Sequence, residues 1–158
     1  MRTNLSSQIS LNRVSTRYYK PENTIERSVL TRFEKIPTNI YETVDEGVSC
    51  IADEIIRKVQ ERQRDGKFCT IATGTGASLR PLFAELVRRH KEEGVSFRNV
   101  VVFNLYEYYP LTEPNNSSFN QLNELFLKQV DIDPQNVFTL NGTIPQEGVI
   151  DHCHLYEQ

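Results

Sequence analysis

Two short apolar runs constrain this chain more than any other feature, because each flows into a polar loop and then into residues of helical period. The first is Phe68-Cys69-Thr70-Ile71-Ala72, and the second opens the stretch VVVFNLYEYYPL, Val100 to Leu111. Between them Leu82, Phe83, Leu86 and Val87 recur at helical spacing, and Gly94 supplies a stop. Strand, helix and strand in that order read as a parallel pair joined by a crossover. Upstream, Thr43-Val44-Asp45-Glu46 has the form of a capping box, and Val44, Val48, Ile51, Ile55 and Val59 then repeat until Gly66. Downstream, Ser117 or Ser118 is placed to cap a helix that turns Phe119, Leu122, Leu125 and Phe126 inward. Val137 to Leu140 reads as a third strand, and a last helix as running from Gln146 to Tyr156. The expected fold is α/β, a partial Rossmann-like parallel sheet with flanking helices. Three strands leave its edges open, so the chain reads as the front part of a larger domain.

Residues 1–37 are polar, rich in Ser, Thr, Asn and Arg, and read as an N-terminal arm. One short helix is expected there, from Thr24 to Glu34, where Ile25, Val29 and Phe33 share a face. Residues 38–158 carry the globular pattern.

Charge and cysteine usage exclude several classes. The formal net charge is -3, whereas nucleic-acid modules usually present a basic face. Arg57-Lys58, Arg62 to Lys67 and Arg88 to Lys91 are interleaved with acids and suit solvated helix faces, so no nucleic-acid partner is expected. The opening MRTNLSSQISLNRVSTRYY holds no apolar run long enough for a signal peptide or a membrane span. No membrane partner is expected, and the cytoplasm is the expected compartment. Cys50, Cys69 and Cys153 are widely spaced, form no CxxC pair and read as buried reduced thiols. His152 and His154 lie two apart on the last helix and face different ways, so they read as surface residues and no metal site is expected.

Chemistry concentrates where the first two strands end. TGTGAS, Thr73 to Ser78, follows a buried strand and opens a helix. In that context Gly74 and Gly76 let amide hydrogens approach an anion, the helix N-terminus adds partial positive charge, and Thr75 and Ser78 offer hydroxyls. The loop is neither a GxxxxGK[ST] nor a complete GxGxxG, since Leu79 stands at the third glycine position, so it suits a small phosphorylated ligand better than a nucleotide. The same residues also make a tight strand-to-helix turn with no ligand. At the end of the second strand, Asn104, Tyr106 and Glu107 fall at the carboxyl edge, where open α/β sheets bind ligands. Glu107 reads there either as a base or sugar-hydroxyl ligand or as a surface acid. Tyr106, Tyr108 and Tyr109 read either as ligand contacts or as rim packing.

From Ile40 to Glu157 the chain resembles the N-terminal part of the glucosamine-6-phosphate deaminase/isomerase family, to which 6-phosphogluconolactonase is related. IATGTGASLRPLFAEL resembles the family's phosphate loop and following helix. HKEEGVSFRNVVVFNLYEYYPL resembles its second strand, and SSFNQLNELFLKQVDIDPQNVFTLNG its next helix and Asn-Gly strand end. The resemblance implies an aldose–ketose proton transfer followed by loss of ammonia, with no cofactor. It assigns the substrate phosphate to Thr75, Gly76, Ala77 and Ser78, with Asn104 beside them, and the chemistry to Glu107 and Tyr106. Tyr106 departs from the family, which carries an aspartate base there. With free pKa values near 10 and 4, the phenolate is about one part in a thousand at neutral pH, a penalty of roughly 4 kcal/mol.

The family segment that supplies ring-opening groups, and the basic residues that clamp the phosphate, normally follow the point where this chain ends. The expectation is therefore the N-terminal part of a glucosamine-6-phosphate deaminase-like protein, inactive alone. The alternative is a non-catalytic phosphosugar-binding sensor on the same fold. The expected partners are a small-molecule sugar phosphate and, because a partial sheet leaves apolar surface uncovered, further copies of the chain in a homo-oligomer. Some relatives with a tyrosine at this position are longer chains joined to a deacetylase-like domain, so the resemblance implies a further C-terminal domain in a full-length parent.

Overall fold

The computed structural model of the chain describes residues 23–32 and 39–158. They divide between two compact units, Met1–Gly47 and Val48–Gln158. In the first unit, helix α1 covers Thr24–Thr31 and is capped by Asn23, whose side chain accepts from the amides of Ile25 and Glu26. Ile25 and Val29 are exposed. Phe33, Glu34 and the arm before residue 23 lie outside the described residues.

Helix α2 (Val44–Arg64) starts as the capping box predicts, with the Glu46 amide donating to Thr43 Oγ1 at 3.1 Å. The Glu46 carboxylate reaches back to the amide of Glu42 at 3.3 Å, one residue before its expected partner. Within the second unit the inward stripe of α2 differs from the expected one. Ala52, Ile56 and Val59 are buried and Ile51 is exposed. Alanine occupies the centre of that face, and its small side chain hides the stripe from a reading by large apolar residues.

The second unit is built on three parallel strands, β1 (Cys69–Thr73), β2 (Val100–Asn104) and β3 (Val137–Phe138), in the spatial order β1-β2-β3. A 3-10 turn over Ala77–Leu79 leads into α3 (Arg80–Glu93), which Gly94 ends in the left-handed conformation at φ 71°. Helix α4 (Ser118–Leu125) follows β2, and a further 3-10 turn, Gln146–Gly148, leads into α5 (Val149–Glu157). Contrary to the expectation of burial, Cys50 of α2 and Cys153 of α5 are exposed and Cys69 is half-buried, because the two helices turn those positions away from the core.

One face of β2 presents Val100, Val102 and Asn104, all fully buried. The apolar pair joins a single core with Ala52, Ile56 and Val59 of α2, Phe83, Leu86 and Val87 of α3, and Leu122 of α4. Phe126, just past α4, stacks on Phe83 at 5.4 Å and meets Phe97 edge-on at 5.7 Å. Each fully buried side chain of this size contributes ~1.5–3 kcal/mol relative to exposure. On the outer side of the core Glu85 accepts from both Arg88 and Arg89, and Arg89 reaches Asp53 of α2 at 2.9 Å. The basic run Arg88 to Lys91 is thus in part a brace between helices.

The opposite face of β2 carries Phe103, which stacks on Phe138 of β3 at 4.8 Å and takes the edge of Tyr156 from α5. Strand β3 is shorter than the expected Val137 to Leu140. Past Phe138 the chain leaves the ladder, and the Gly142 carbonyl accepts from the Leu111 amide at 2.8 Å instead.

Candidate functional site

The register of the first two strands brings the two loops together. Thr73 pairs with Asn104, and the Leu105 amide donates to the Thr73 carbonyl at 2.9 Å. TGTGAS and Asn104-Leu105-Tyr106-Glu107 therefore leave the sheet side by side at its carboxyl edge.

In the glycine loop Gly74 and Thr75 are buried, while Gly76, Ala77 and Ser78 are exposed. The Gly76 carbonyl accepts from the Leu79 amide and so closes the 3-10 turn. The amides of Gly76, Ala77 and Ser78 meet no protein acceptor among the described residues. They are a row of outward-facing donors at the start of a helix, an arrangement suited to an anion.

The Thr75 amide is different, since it donates to the Tyr106 hydroxyl oxygen at 3.3 Å. The Tyr106 ring lies so close over Gly74 that a Cβ there would sit 2.6 Å from Cε1 of the ring. Hydrogen bonds from Thr75, first its side chain and then its amide, hold the phenol below the usual tyrosine value. Burial and the nearby Glu107 charge oppose them, and Ser118 adds to them.

Four residues close a polar circuit behind this contact. Thr75 Oγ1 and Ser118 Oγ are 3.0 Å apart, Ser118 Oγ donates to Asn104 Oδ1 at 3.3 Å, and Asn104 Nδ2 donates to the Tyr106 carbonyl at 2.9 Å. Asn104 Oδ1 can only accept, so the Ser118 hydroxyl donates to it. Asn104, a candidate ligand contact by sequence, is fully buried and spends both ends of its amide on this circuit.

Glu107 is committed as well. Its Oε1 accepts from the amides of Ser118 (2.8 Å) and Tyr108 (3.0 Å). Its Oε2 accepts from Ser117 Oγ (2.7 Å) and the Phe119 amide (3.1 Å). Burial alone pushes the carboxyl up, but hydrogen bonds from Ser117 and the amides of Phe119, Ser118 and Tyr108 outweigh it and hold the group below the usual carboxylate range. The carboxylate thus crowns the N-terminus of α4, where the helix dipole favours negative charge. Ser117 is the residue that caps α4, accepting from the Asn120 amide at 3.1 Å.

A cavity of about 550 Å³ opens between the ends of β2 and β3, with Glu107, Ser117, Asn120, Thr139, Asn141 and Thr143 on its walls. Its lining includes none of Thr75, Gly76, Ala77 or Ser78, and with one carboxylate and no cation it does not suit a phosphate. Two side chains of α5 fix the strand ends from the far side. His152 Nε2 accepts from the Asn141 amide at 2.9 Å, and Tyr156 Oη donates to the Asn104 carbonyl at 2.7 Å. Sequence reasoning left His152 on the surface and gave Tyr156 no role. A spacing of four residues on one helix face was the signal that joined them. Among the described residues no group of three or more His, Cys, Asp or Glu side chains is placed to hold a metal ion, and no helix is long and apolar enough to cross a membrane.

A parallel sheet with a glycine loop opening a helix at its carboxyl edge places the chain in the class of open α/β folds that bind ligands at the strand ends, and comparison with known proteins narrows this. No family model matches the chain. A glucosamine-6-phosphate deaminase-like protein of Bacteroides thetaiotaomicron is 58% identical over 159 aligned residues, covering 100% of this chain and 24% of that protein. Glucosamine-6-phosphate deaminase 1 of Giardia intestinalis is 34% identical over 115 residues, covering 70% of this chain and 42% of that one. Among solved structures, a monomeric glucosamine-6-phosphate deaminase superposes with a TM-score of 0.65 at 26% identity, over 75% of this chain and 47% of that one. The 6-phosphogluconolactonase of Thermotoga maritima shares the fold, with a TM-score of 0.56 at 19% identity. The chain is thus similar over most of its length to part of glucosamine-6-phosphate deaminase-type proteins, and it spans about a quarter to less than half of the length of these relatives.

Proposed function

We propose that this chain is the phosphate-anchoring part of a glucosamine-6-phosphate deaminase-like protein, with an aminosugar phosphate as its ligand. The observation that carries the proposal is the row of exposed amides at Gly76, Ala77 and Ser78, set at a helix start beside the end of β2. In this reading the Ser78 hydroxyl joins the amides on the phosphate. Thr75 and Asn104 act from behind, through the circuit that fixes the loop. Titration of glucosamine 6-phosphate into the 158-residue chain, followed by amide chemical shifts, is expected to move Gly76, Ala77 and Ser78 first. Silence of those amides at millimolar ligand would overturn the proposal.

A second reading, a phosphosugar sensor without turnover, is favoured by a specific observation. Glu107 accepts four hydrogen bonds from the start of α4 and its flanking turn, and Tyr106 is a phenol where the resemblance implies a carboxylate base. Under both readings Glu107 is a positioning residue for α4. Assay of ammonia release separates the two, since a sensor binds glucosamine 6-phosphate and releases none. The exposed Ile150 and Leu155 of α5 suit coverage in a homo-oligomer, and the greater length of the Bacteroides relative suits a further C-terminal domain. A clean monomer by light scattering at micromolar concentration would remove the first of these. A cytoplasmic location belongs to the same reading.

A further inference from the structure

We propose that Tyr106 is the specificity-determining residue of the glycine loop, because its phenol oxygen occupies the Thr75 amide and so limits an incoming phosphate to the three amides that follow. The inference rests on the phosphate reading of the loop.

Three observations meet at this residue. The Thr75 amide donates to Tyr106 Oη at 3.3 Å, across 31 residues of sequence, while the next three amides have no protein acceptor among the described residues. The ring approaches Gly74 to a distance that only a residue without Cβ allows. The ring is itself pinned, edge-on to Tyr108 at 6.1 Å, and the Tyr106 carbonyl is held by Asn104. A phenol oxygen that accepts from a loop amide stands where one oxygen of a bound anion would otherwise stand. Oη accepts from the Thr75 amide and has one O–H to donate, for which the Thr75 hydroxyl and an acceptor carried beside the phosphate, such as a sugar hydroxyl, compete. The loop would then favour a sugar phosphate, whose hydroxyls lie beyond the phosphate group, over free phosphate, which brings none.

The test uses the full chain, inorganic phosphate and glucosamine 6-phosphate as probes, and two variants that reach the same contact differently. Tyr106→Phe keeps the ring and removes the acceptor. Gly74→Ala keeps the phenol and displaces the ring, since the new methyl group would meet its edge. In the wild type, inorganic phosphate is expected to shift the amides of Gly76, Ala77 and Ser78 and leave Thr75 unmoved. Both variants should bring Thr75 into the responding set and tighten inorganic phosphate about threefold to tenfold, the effect of one added charge-assisted hydrogen bond. The preference for glucosamine 6-phosphate over inorganic phosphate should shrink by a similar factor in Tyr106→Phe. Affinities for inorganic phosphate within about twofold of wild type in both variants, with Thr75 silent, would overturn the inference while leaving the phosphate loop in place. Weaker phosphate binding in Tyr106→Phe would overturn it too, because the phenol would then be a contact rather than a competitor. Silence of all four amides in wild type and variants, with both probes, would remove the phosphate reading and this inference together.

Discussion

Tyr156 donates its hydroxyl to the main-chain carbonyl of Asn104 at 2.7 Å, across 52 residues of sequence. The bond lands on the last residue of β2, the same residue whose side chain closes the polar circuit behind the glycine loop. Burial raises the Tyr156 phenol above its usual value, so it stays a neutral donor throughout the physiological range. A short helix with an exposed outer side thus fixes the floor of the candidate site from the face opposite the core.

Tyr156→Phe removes that donor and keeps the ring against Phe103. Loss of about 1 kcal/mol is expected from one neutral hydrogen bond, read as a lower urea midpoint at unchanged m-value. The amide shifts of Leu105 and Tyr106 should move more than those of α3. A variant equal to wild type in both respects would show that α5 leaves the strand end alone.

Glu107→Gln replaces two accepting oxygens by one and aims an amide donor at backbone amides. The substitution is expected to cost ~1–2 kcal/mol at neutral pH. A carboxyl held below its ordinary value near 4.5 binds its proton more weakly in the folded chain. Its stabilisation is therefore present above that value and is lost as pH falls through the lower folded value. The difference in Tm between wild type and Glu107→Gln should close on acidification below about pH 4. A difference that stays constant down to pH 2 would remove the carboxylate charge from the account.

Leu122 is fully buried in the common core, and Leu122→Ala should lower stability by ~2–5 kcal/mol, measured by denaturant unfolding. A loss under about 1 kcal/mol would mean that the core between α4 and β2 collapses around the gap.

Gly142→Ala is expected to disturb the second loop layer out of proportion to its size. A Cβ at this position would overlap the Tyr108 carbonyl oxygen and lie 2.9 Å from Leu111 Cβ, so backbone has to move. The Leu111 amide, which donates to the Gly142 carbonyl, should lose protection from hydrogen exchange. Wild-type exchange at Leu111 would show that the two loops part without consequence.

The strand–helix alternation was legible because each strand is a short apolar run bounded by loop residues, and the parallel order followed from it. The core face of α2 was misread by a fraction of a turn because Ala52, at its centre, is too small to register in a count of large apolar residues. Glu107 was legible as an important carboxylate but not as a helix crown, since its partners Ser117, Ser118 and Phe119 lie ten to twelve residues on and the pairing needs a fold. Tyr106 was visible as the departure from the family. That its phenol reaches the Thr75 amide depends on the register of β1 against β2, which the residues of neither strand encode alone.

The hydroxyls of Thr75 and Ser118 meet 3.0 Å apart, and Ser118 donates its own proton to Asn104. The end of β1, the end of β2 and the foot of α4 are therefore knotted by three small polar side chains, and replacing any one of them with an apolar residue strands a buried partner.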